Sequence, residues 1–66
     1  MNTSNYEYLL TLEKTGTISE TARRFYVSPS AISQCLKNAE KQFGYPLFYR
    51  EDQRMLPTRE GSIFLQ

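Results

Sequence analysis

The 66-residue sequence contains no histidine, no tryptophan and a single cysteine, Cys35. One thiol cannot form an internal disulfide, and the cysteine and histidine ligands of a structural zinc site are missing. Histidine is the commonest general base, so its absence leads us to expect no enzymatic activity, no cofactor and no metal. No apolar run approaches the roughly 20 residues of a membrane-spanning helix, and no basic-then-apolar leader is present. We therefore predict neither a membrane span nor a secretion signal.

The sequence does contain enough apolar residues for one small core. They make up 39% of the chain and include five Tyr and four Phe, which suits a single domain near the lower size limit for unassisted folding. The formal net charge is +1, although a nucleic-acid-binding domain is usually clearly basic. The charge is uneven, however, because residues 23–41 hold four Lys or Arg and one acidic residue, Glu40. For nucleic-acid binding, the face that this central segment occupies therefore matters more than the net charge of the whole chain.

Start and stop signals in the N-terminal part of the chain predict two helices close together. A capping box of Ser4 and Glu7 indicates a first helix over about residues 5–15, and Gly16 suits its end. Ser19 is predicted to be the N-cap of a short second helix. Only three residues separate that helix from the next start signal, so the two helices must cross steeply, as in a helix-turn-helix.

The strongest local signal is Ser28-Pro29, an N-cap followed by proline at the first helical position. The third helix is predicted to run to about Gln42, with Gly44 past its end. At about 100° per residue, its apolar face consists of Ile32, Cys35, Leu36, Ala39 and Phe43. The opposite face carries hydroxyl and amide groups, then ammonium groups, and no carboxylate; its residues are Ser30, Ser33, Gln34, Lys37 and Lys41.

Two short apolar runs, 47–49 and 55–56, follow Gly44 and predict a small β-hairpin. Arg50 and Arg54 flank its charged tip. Thr58 is the predicted N-cap of one more helix, and the apolar residues in that helix lead us to expect that the chain is part of a longer protein. Three helices followed by such a hairpin are the plan of a winged helix-turn-helix, a mostly α fold.

In that plan the second helix of the turn motif lies in the DNA major groove. On the polar face of the third helix, Gln34 can contact adenine with both its amide atoms, and Ser30 and Ser33 can contact bases or phosphates. Lys37 and Lys41 are better placed for the DNA backbone.

Two further groups could contact DNA. The first amide groups of the third helix, at Ser30 and Ala31, could accept a phosphate. Arg50 and Arg54 could reach the minor groove or its phosphates.

Several residues allow two interpretations. Tyr26 and Tyr49 are either DNA-backbone donors or packed under the hairpin, and we favour packing. Cys35 is predicted to be a small buried hydrophobe rather than a redox switch. Arg23 and Arg24 form a solvated face unless one of them reaches a phosphate. The whole domain could also dock a protein, since fold does not determine function, and the salt dependence of binding separates the two hypotheses.

A set of motifs spread along most of the chain identifies a family. The residues are Gly16-Thr17-Ile18-Ser19, Thr21-Ala22-Arg23-Arg24-Phe25, Val27-Ser28, Ser30-Ala31-Ile32-Ser33, Glu40, Gly44, Leu47-Phe48, Arg50, Arg54, Pro57-Thr58 and Gly61. With this spacing the chain resembles the N-terminal DNA-binding domain of LysR-type transcriptional regulators from about Tyr6 to Gly61. Thr21 departs from the pattern, because it stands where close helix packing usually has a small residue.

The resemblance implies a sequence-specific reader of double-stranded DNA in the bacterial cytoplasm, associated with the nucleoid. It divides the chain into a winged helix-turn-helix domain, 1–57, and the start of a dimerising linker helix, 58–66. The recognition helix would span about 29–42 and the wing about 47–56, and a domain outside this sequence would bind an effector in a homo-oligomeric parent. The implied DNA-contacting positions are Pro29, Ser30, Ser33, Gln34 and Lys37 in the helix and Arg50 and Arg54 in the wing.

Overall fold

Four helices and one hairpin follow one another in the part of the chain that the structure, a computed structural model, describes: residues 3–66, with side chains from residue 5. Their order is α1 (Thr3–Thr15), α2 (Ile18–Phe25), α3 (Pro29–Phe43), β1 (Phe48–Glu51), β2 (Arg54–Pro57) and α4 (Arg59–Phe64). This order confirms the predicted winged helix-turn-helix, with a three-helix core, a hairpin wing and a further helix. None of the described helices is both long and apolar enough to cross a membrane.

The first helix begins earlier than predicted and ends where predicted. It starts at Thr3, before the proposed N-cap Ser4, whose capping contact lies outside the described side chains. At its end, Gly16 has a φ of 78° and donates its N–H to the Leu12 carbonyl at 2.8 Å. Glycine adopts this left-handed conformation without steric cost, which explains the termination.

The prediction that Ser19 caps the second helix is wrong. The N-cap is Thr17, whose hydroxyl accepts a hydrogen bond from the Glu20 N–H at 3.1 Å. Gly16 reverses the chain so sharply that Thr17 already has the extended backbone of an N-cap, and the helix begins at once. Ser19 consequently lies in the first turn of α2, exposed to solvent.

The third helix agrees closely with its local signals. The Ser28 hydroxyl accepts from the Ala31 N–H at 3.2 Å, and Pro29 is the first helical residue. Gly44, with a φ of 79°, ends the helix and donates its N–H to the Glu40 carbonyl at 2.8 Å. The helix thus ends at Phe43, one residue beyond the prediction.

The hairpin is longer and its tip smaller than the sequence suggests. Its antiparallel register pairs Arg50 with Met55 and Glu51 with Arg54. Asp52 and Gln53 form the two-residue turn with φ values of 50° and 68°, the combination that matches strand twist in type I′ hairpins. Arg50 and Arg54 lie in the strands on either side of this turn, in agreement with the prediction that they flank the tip.

The core lies between α1, α3 and the inner side of the wing. The largest fully buried side chains include Leu9, Leu12 and Ile32. Phe43, predicted on the apolar face of α3, stays 45% exposed and packs edge-to-face on Phe64 with ring centroids 4.8 Å apart. A larger set of buried residues completes the core cluster: Cys35, Leu36, Ala39, Leu47, Phe48, Met55 and Leu65.

Polar contacts fasten the base of the wing to two helices. The Glu40 carboxylate of α3 accepts from the Leu47 N–H at 2.7 Å and the Phe48 N–H at 3.3 Å. The Thr58 hydroxyl caps α4 by accepting from the Gly61 N–H at 3.0 Å, and the Thr58 N–H donates to the Leu47 carbonyl at 3.0 Å. The wing thus has a defined position relative to α3.

The unusual Thr21 fits between the first two helices with its hydroxyl satisfied. The side chain is completely buried, and its hydroxyl donates to the Thr17 carbonyl at 2.9 Å and lies 2.9 Å from the Thr15 hydroxyl. A buried hydroxyl costs free energy only when it lacks a partner. Thr21 is therefore compatible with close packing here.

Candidate nucleic-acid interface

The turn of three residues between α2 and α3 sets the direction of the recognition helix. Tyr26 adopts left-handed backbone angles, φ 57° and ψ 40°. Its N–H donates to the Arg23 carbonyl at 3.2 Å, and the Val27 N–H donates to the Ala22 carbonyl at 3.0 Å. These bonds close the end of α2 and fix the backbone of the turn that leads into α3.

The polar face of α3 is accessible along its whole length. Ser30, Gln34, Lys37 and Lys41 are exposed, and Ser33 is half-buried at the edge of the face. Pro29, at the start of the helix, is also exposed. The structure therefore brings together on one surface the six residues of α3 that the sequence predicts for DNA contact, here called the polar stripe: Pro29, Ser30, Ser33, Gln34, Lys37 and Lys41.

Asn38 is a neighbour of this surface that the sequence analysis did not select. Its Oδ1 accepts a hydrogen bond of 3.0 Å from the Gln34 Nε2, and both side chains are exposed. The four-residue spacing of two amides on one helix is a signal that could have revealed the pair. Releasing Gln34 from this bond would cost roughly 0.2–0.5 kcal/mol, so the pair can hold Gln34 in place without preventing a base contact.

The charge along the polar stripe is zero or positive. Glu40 is the single acidic residue of α3, and its carboxylate is engaged with the Leu47 and Phe48 amides at the base of the wing. The two lysines of the stripe therefore have no carboxylate of their own helix beside them. Such a surface attracts a polyanion.

One of the two proposed phosphate-binding amides is already occupied. The Ala31 N–H donates to both the Ser28 hydroxyl, at 3.2 Å, and the Ser28 carbonyl, at 3.0 Å. The expectation that this N–H donates to a phosphate is wrong, because it already donates to the N-cap that starts the helix.

The two wing arginines lie on opposite faces of the hairpin. Arg50 pairs with Met55 and Arg54 with Glu51, and adjacent pairs of a ribbon point to alternate sides. Both side chains are exposed.

Their surroundings differ. Arg50 lines a cleft of about 430 Å³ between the wing and the start of α2, together with Thr17, Ser19 and Gln53. The Arg54 guanidinium covers Gly16, so that a β-carbon at residue 16 would lie 2.5 Å from one of its nitrogens. The Arg54 guanidinium is therefore in contact with Gly16, whereas the Arg50 side chain lies in an open cleft.

The preferred interpretation of the two tyrosines is wrong for Tyr26. Its side chain is 95% exposed, whereas Tyr49 on the wing is 47% exposed. The wing instead attaches to the turn between α1 and α2, where the Met55 N–H donates to the Gly16 carbonyl at 2.7 Å. Tyr26 follows the opposite end of α2, and its exposure shows that it does not pack under the wing.

Arg23 and Arg24 are both engaged with one carboxylate. Arg23 Nη1 lies 2.7 Å and Arg24 Nε 3.6 Å from the Glu20 oxygens. Both arginine side chains are mostly solvated, and the Glu20 side chain is partly exposed. Exposed ion pairs at this helical spacing contribute little to stability. The contacts support the interpretation of a solvated helix face.

Cys35 is buried, as the sequence analysis predicts. Its thiol donates to the Asn5 carbonyl at 3.6 Å. Burial raises the pKa of this thiol above its ordinary value, so the reactive thiolate is disfavoured.

Comparison with known proteins identifies the family. Residues 3–62 match the model of the bacterial regulatory helix-turn-helix proteins of the lysR family. The chain is 43% identical over 58 residues to the HTH-type transcriptional regulator MetR of Haemophilus influenzae, covering 88% of this chain and 19% of that protein. It is 35% identical over 63 residues to the HTH-type transcriptional regulator DgcR of Pseudoalteromonas, covering 96% of this chain and 22% of that protein.

A solved structure gives the same result. The fold superposes on the crystal structure of the CbnR DBD–DNA complex with a TM-score of 0.91 and 25% identity, over 98% of this chain and 75% of that chain. The chain spans about a fifth of the length of the two regulators it matches. The chain belongs to the LysR family of bacterial regulatory helix-turn-helix proteins.

Proposed function

We propose that the chain is the DNA-reading domain of a bacterial transcriptional regulator and binds double-stranded DNA sequence-specifically. The single observation that carries this proposal is the polar stripe of α3, which is accessible, free of carboxylates and held at a defined angle by a three-residue turn. A helix of this kind fits the major groove, where each base pair presents its own pattern of donors and acceptors. The CbnR DBD, which has the same fold, was crystallised with DNA.

The first turns of α3 would read base edges. Gln34 would exchange its bond to Asn38 for adenine, and Ser30 and Ser33 would contact bases or phosphates. Pro29 has no N–H to donate and would pack its ring against the DNA at the point of entry. Sequence preference would therefore come mainly from Gln34, the residue of this set with both a donor and an acceptor amide group.

The ammonium and guanidinium groups would hold the backbone. Lys37 and Lys41 lie one and two turns beyond Gln34, where the helix leaves the groove floor. Arg50 would reach the minor groove or its phosphates from the wing, and Arg54 would do so after leaving Gly16. These contacts carry little sequence information and fix the register of the domain on the duplex.

The parent protein would use this domain as part of a larger, non-enzymatic regulator. The relatives are named transcriptional regulators, and each is about five times as long as the aligned segment. We propose that α4 begins a linker helix that pairs two copies, that another domain binds an effector, and that the protein acts on DNA in the cytoplasm. Pairing would multiply the modest affinity of one weakly charged domain.

A salt series tests DNA binding against protein docking. Fluorescence anisotropy with a random and a candidate operator duplex should show log affinity falling linearly with log salt, by about 0.9 per phosphate contacted. Lys37→Ala should remove one phosphate contact and so reduce the magnitude of this slope by about 0.9. Lys14→Ala on α1, which removes the same charge from another exposed site, should leave the slope unchanged.

An NMR titration locates the surface. Amide shifts should cluster in residues 29–41 and in the wing. A flat salt response, or shifts confined to α1 and the end of α4, would contradict the proposal and favour a protein partner.

A further inference from the structure

We propose that Tyr26 is a DNA-backbone contact, whose phenol donates a hydrogen bond to a phosphate of the strand bordering the groove that α3 enters. The proposal rests on the proposed function, because it requires α3 to lie in the major groove. Tyr26 is not part of the polar stripe; it adds a contact from the turn that precedes the helix.

The side chain of Tyr26 contributes nothing visible to the fold. It is 95% exposed, and the next most exposed large hydrophobic among residues 5–66, Ile63, is 61% exposed. Within the described part of the chain, its ring packs on no other ring and its hydroxyl makes no hydrogen bond. Tyrosine normally buries its ring and keeps the hydroxyl at the surface, so a ring exposed to this extent is available to a partner outside the monomer.

The backbone at this position also disfavours tyrosine. Tyr26 has a φ of 57°, a left-handed conformation that glycine adopts freely and bulky side chains adopt at a cost. The other non-glycine residues with positive φ, Asp52 and Gln53, occupy a hairpin turn that requires it. A glycine at residue 26 would suit this backbone better, so a tyrosine here lowers local stability.

The position of Tyr26 suits a phosphate. Its Cα is at most about 11 Å from that of Pro29, three residues on, and the bonds from Tyr26 and Val27 to α2 keep the turn rigid. Each DNA strand presents a phosphate for every 3.4 Å or so of rise. A donor beside the helix that enters the groove therefore lies near the flanking backbone, and tyrosine hydroxyls are established phosphate donors.

A neutral donor leaves a distinctive signature. The salt dependence of binding reports the phosphates neutralised by Lys and Arg. A phenol releases no counterion, so its loss should weaken binding equally at every salt concentration. Because it contacts the backbone, the loss should also be equal for every sequence.

The test compares two variants of Tyr26 with a matched tyrosine. Anisotropy titrations use a random-sequence duplex over a series of salt concentrations, and thermal unfolding gives the Tm. Tyr26→Phe should lower affinity roughly three- to tenfold with an unchanged salt slope. Tyr26→Gly should lower affinity at least as much while it leaves the Tm unchanged or raises it. Tyr45→Phe, an exposed tyrosine (58%) beyond the far end of α3, roughly 22 Å away, should bind like the parent.

Other results overturn the proposal. If both Tyr26 variants bind like the parent, Tyr26 does not contact DNA. If Tyr26→Phe lowers the Tm and affinity falls with it, the role of the phenol is structural. If the parent chain binds no duplex at all, the proposed function fails and this inference fails with it. That result differs from the one in which the parent binds DNA and both Tyr26 variants bind equally well.

Discussion

The α-carbon of Gly61 in α4 lies against the backbone carbonyl of Leu47, so closely that a β-carbon at residue 61 would overlap the carbonyl oxygen. The Thr58 N–H donates to the same oxygen at 3.0 Å. One carbonyl thus sets both the start of α4 and its distance from the base of the wing. A side chain at residue 61 would separate the two elements.

Gly61→Ala should lower the free energy of unfolding by about 1–3 kcal/mol, because backbone atoms cannot move aside as a flexible side chain can. Urea unfolding measures the change. Gly44→Ala is the matched control: Gly44 has a φ of 79° but nothing near its absent β-carbon, so that variant should show the conformational cost alone, about 1 kcal/mol. A smaller loss for Gly61→Ala than for Gly44→Ala would show that the close contact is unimportant.

Glu40→Ala should lower the free energy of unfolding by about 1–3 kcal/mol, because it leaves the Leu47 and Phe48 amides without their acceptor. Glu40→Gln retains an amide oxygen and should lose less. Glu7→Ala, at an exposed site on α1, should change stability by no more than about 0.5 kcal/mol. Equal stability of the parent and Glu40→Ala in denaturant titrations would contradict the role assigned to this carboxylate.

Gln34→Ala and Arg50→Ala should weaken DNA binding in different ways. The loss of Gln34 should cost about 1–3 kcal/mol at sites with the preferred base and little elsewhere, because it removes a base contact. The loss of Arg50 should weaken all duplexes alike and reduce the salt slope, because it removes a backbone contact. Binding to a panel of single-base operator variants distinguishes the two. Parallel losses across the panel for both variants would mean that Gln34 does not read bases.

Cys35 should make stability decrease in alkaline solution. Burial raises the pKa of its thiol above the ordinary value of 9.0, so the folded chain binds the proton more tightly than the unfolded chain. The stabilisation is complete below about pH 9 and declines as the pH rises toward the folded pKa. Urea unfolding of the parent should therefore lose more stability above pH 9 than Cys35→Ala does. Identical pH profiles would show that the thiol does not ionise on unfolding in this range.

Most element boundaries could be predicted from the sequence because they depend on neighbouring residues. Ser28-Pro29, Gly44 and Thr58 act through hydrogen bonds within a few residues, and all three have the predicted roles. The prediction that Ser19 is the N-cap was wrong because Thr17, an equally good cap, lies two residues earlier. The left-handed turn at Gly16 decided between them.

The polar stripe could also be predicted from the sequence, since helical periodicity alone places Ser30, Gln34 and Lys37 on one face. The contacts that individual side chains make could not be predicted in the same way. The hydrogen bond from Gln34 to Asn38 was not predicted. Arg50 and Arg54 were predicted to flank the hairpin tip, but only the hairpin register shows that they lie on opposite faces. Register depends on the two-residue turn at Asp52-Gln53, whose backbone angles composition does not reveal.

The amino-acid sequence by itself determined the order of the helices, the caps Ser28 and Thr58, the carboxylate-free face of α3 and the family, because these follow from local spacing and chemistry. Tertiary structure decided which groups meet across long separations, such as Glu40 with the wing amides and Gly61 with Leu47. It also decided that the side chain of Tyr26 is left in solvent. The physical reason is that burial and backbone contact depend on the packing of distant segments. The exposure of Tyr26, contrary to the sequence-based preference, is what made it a candidate for contact with DNA.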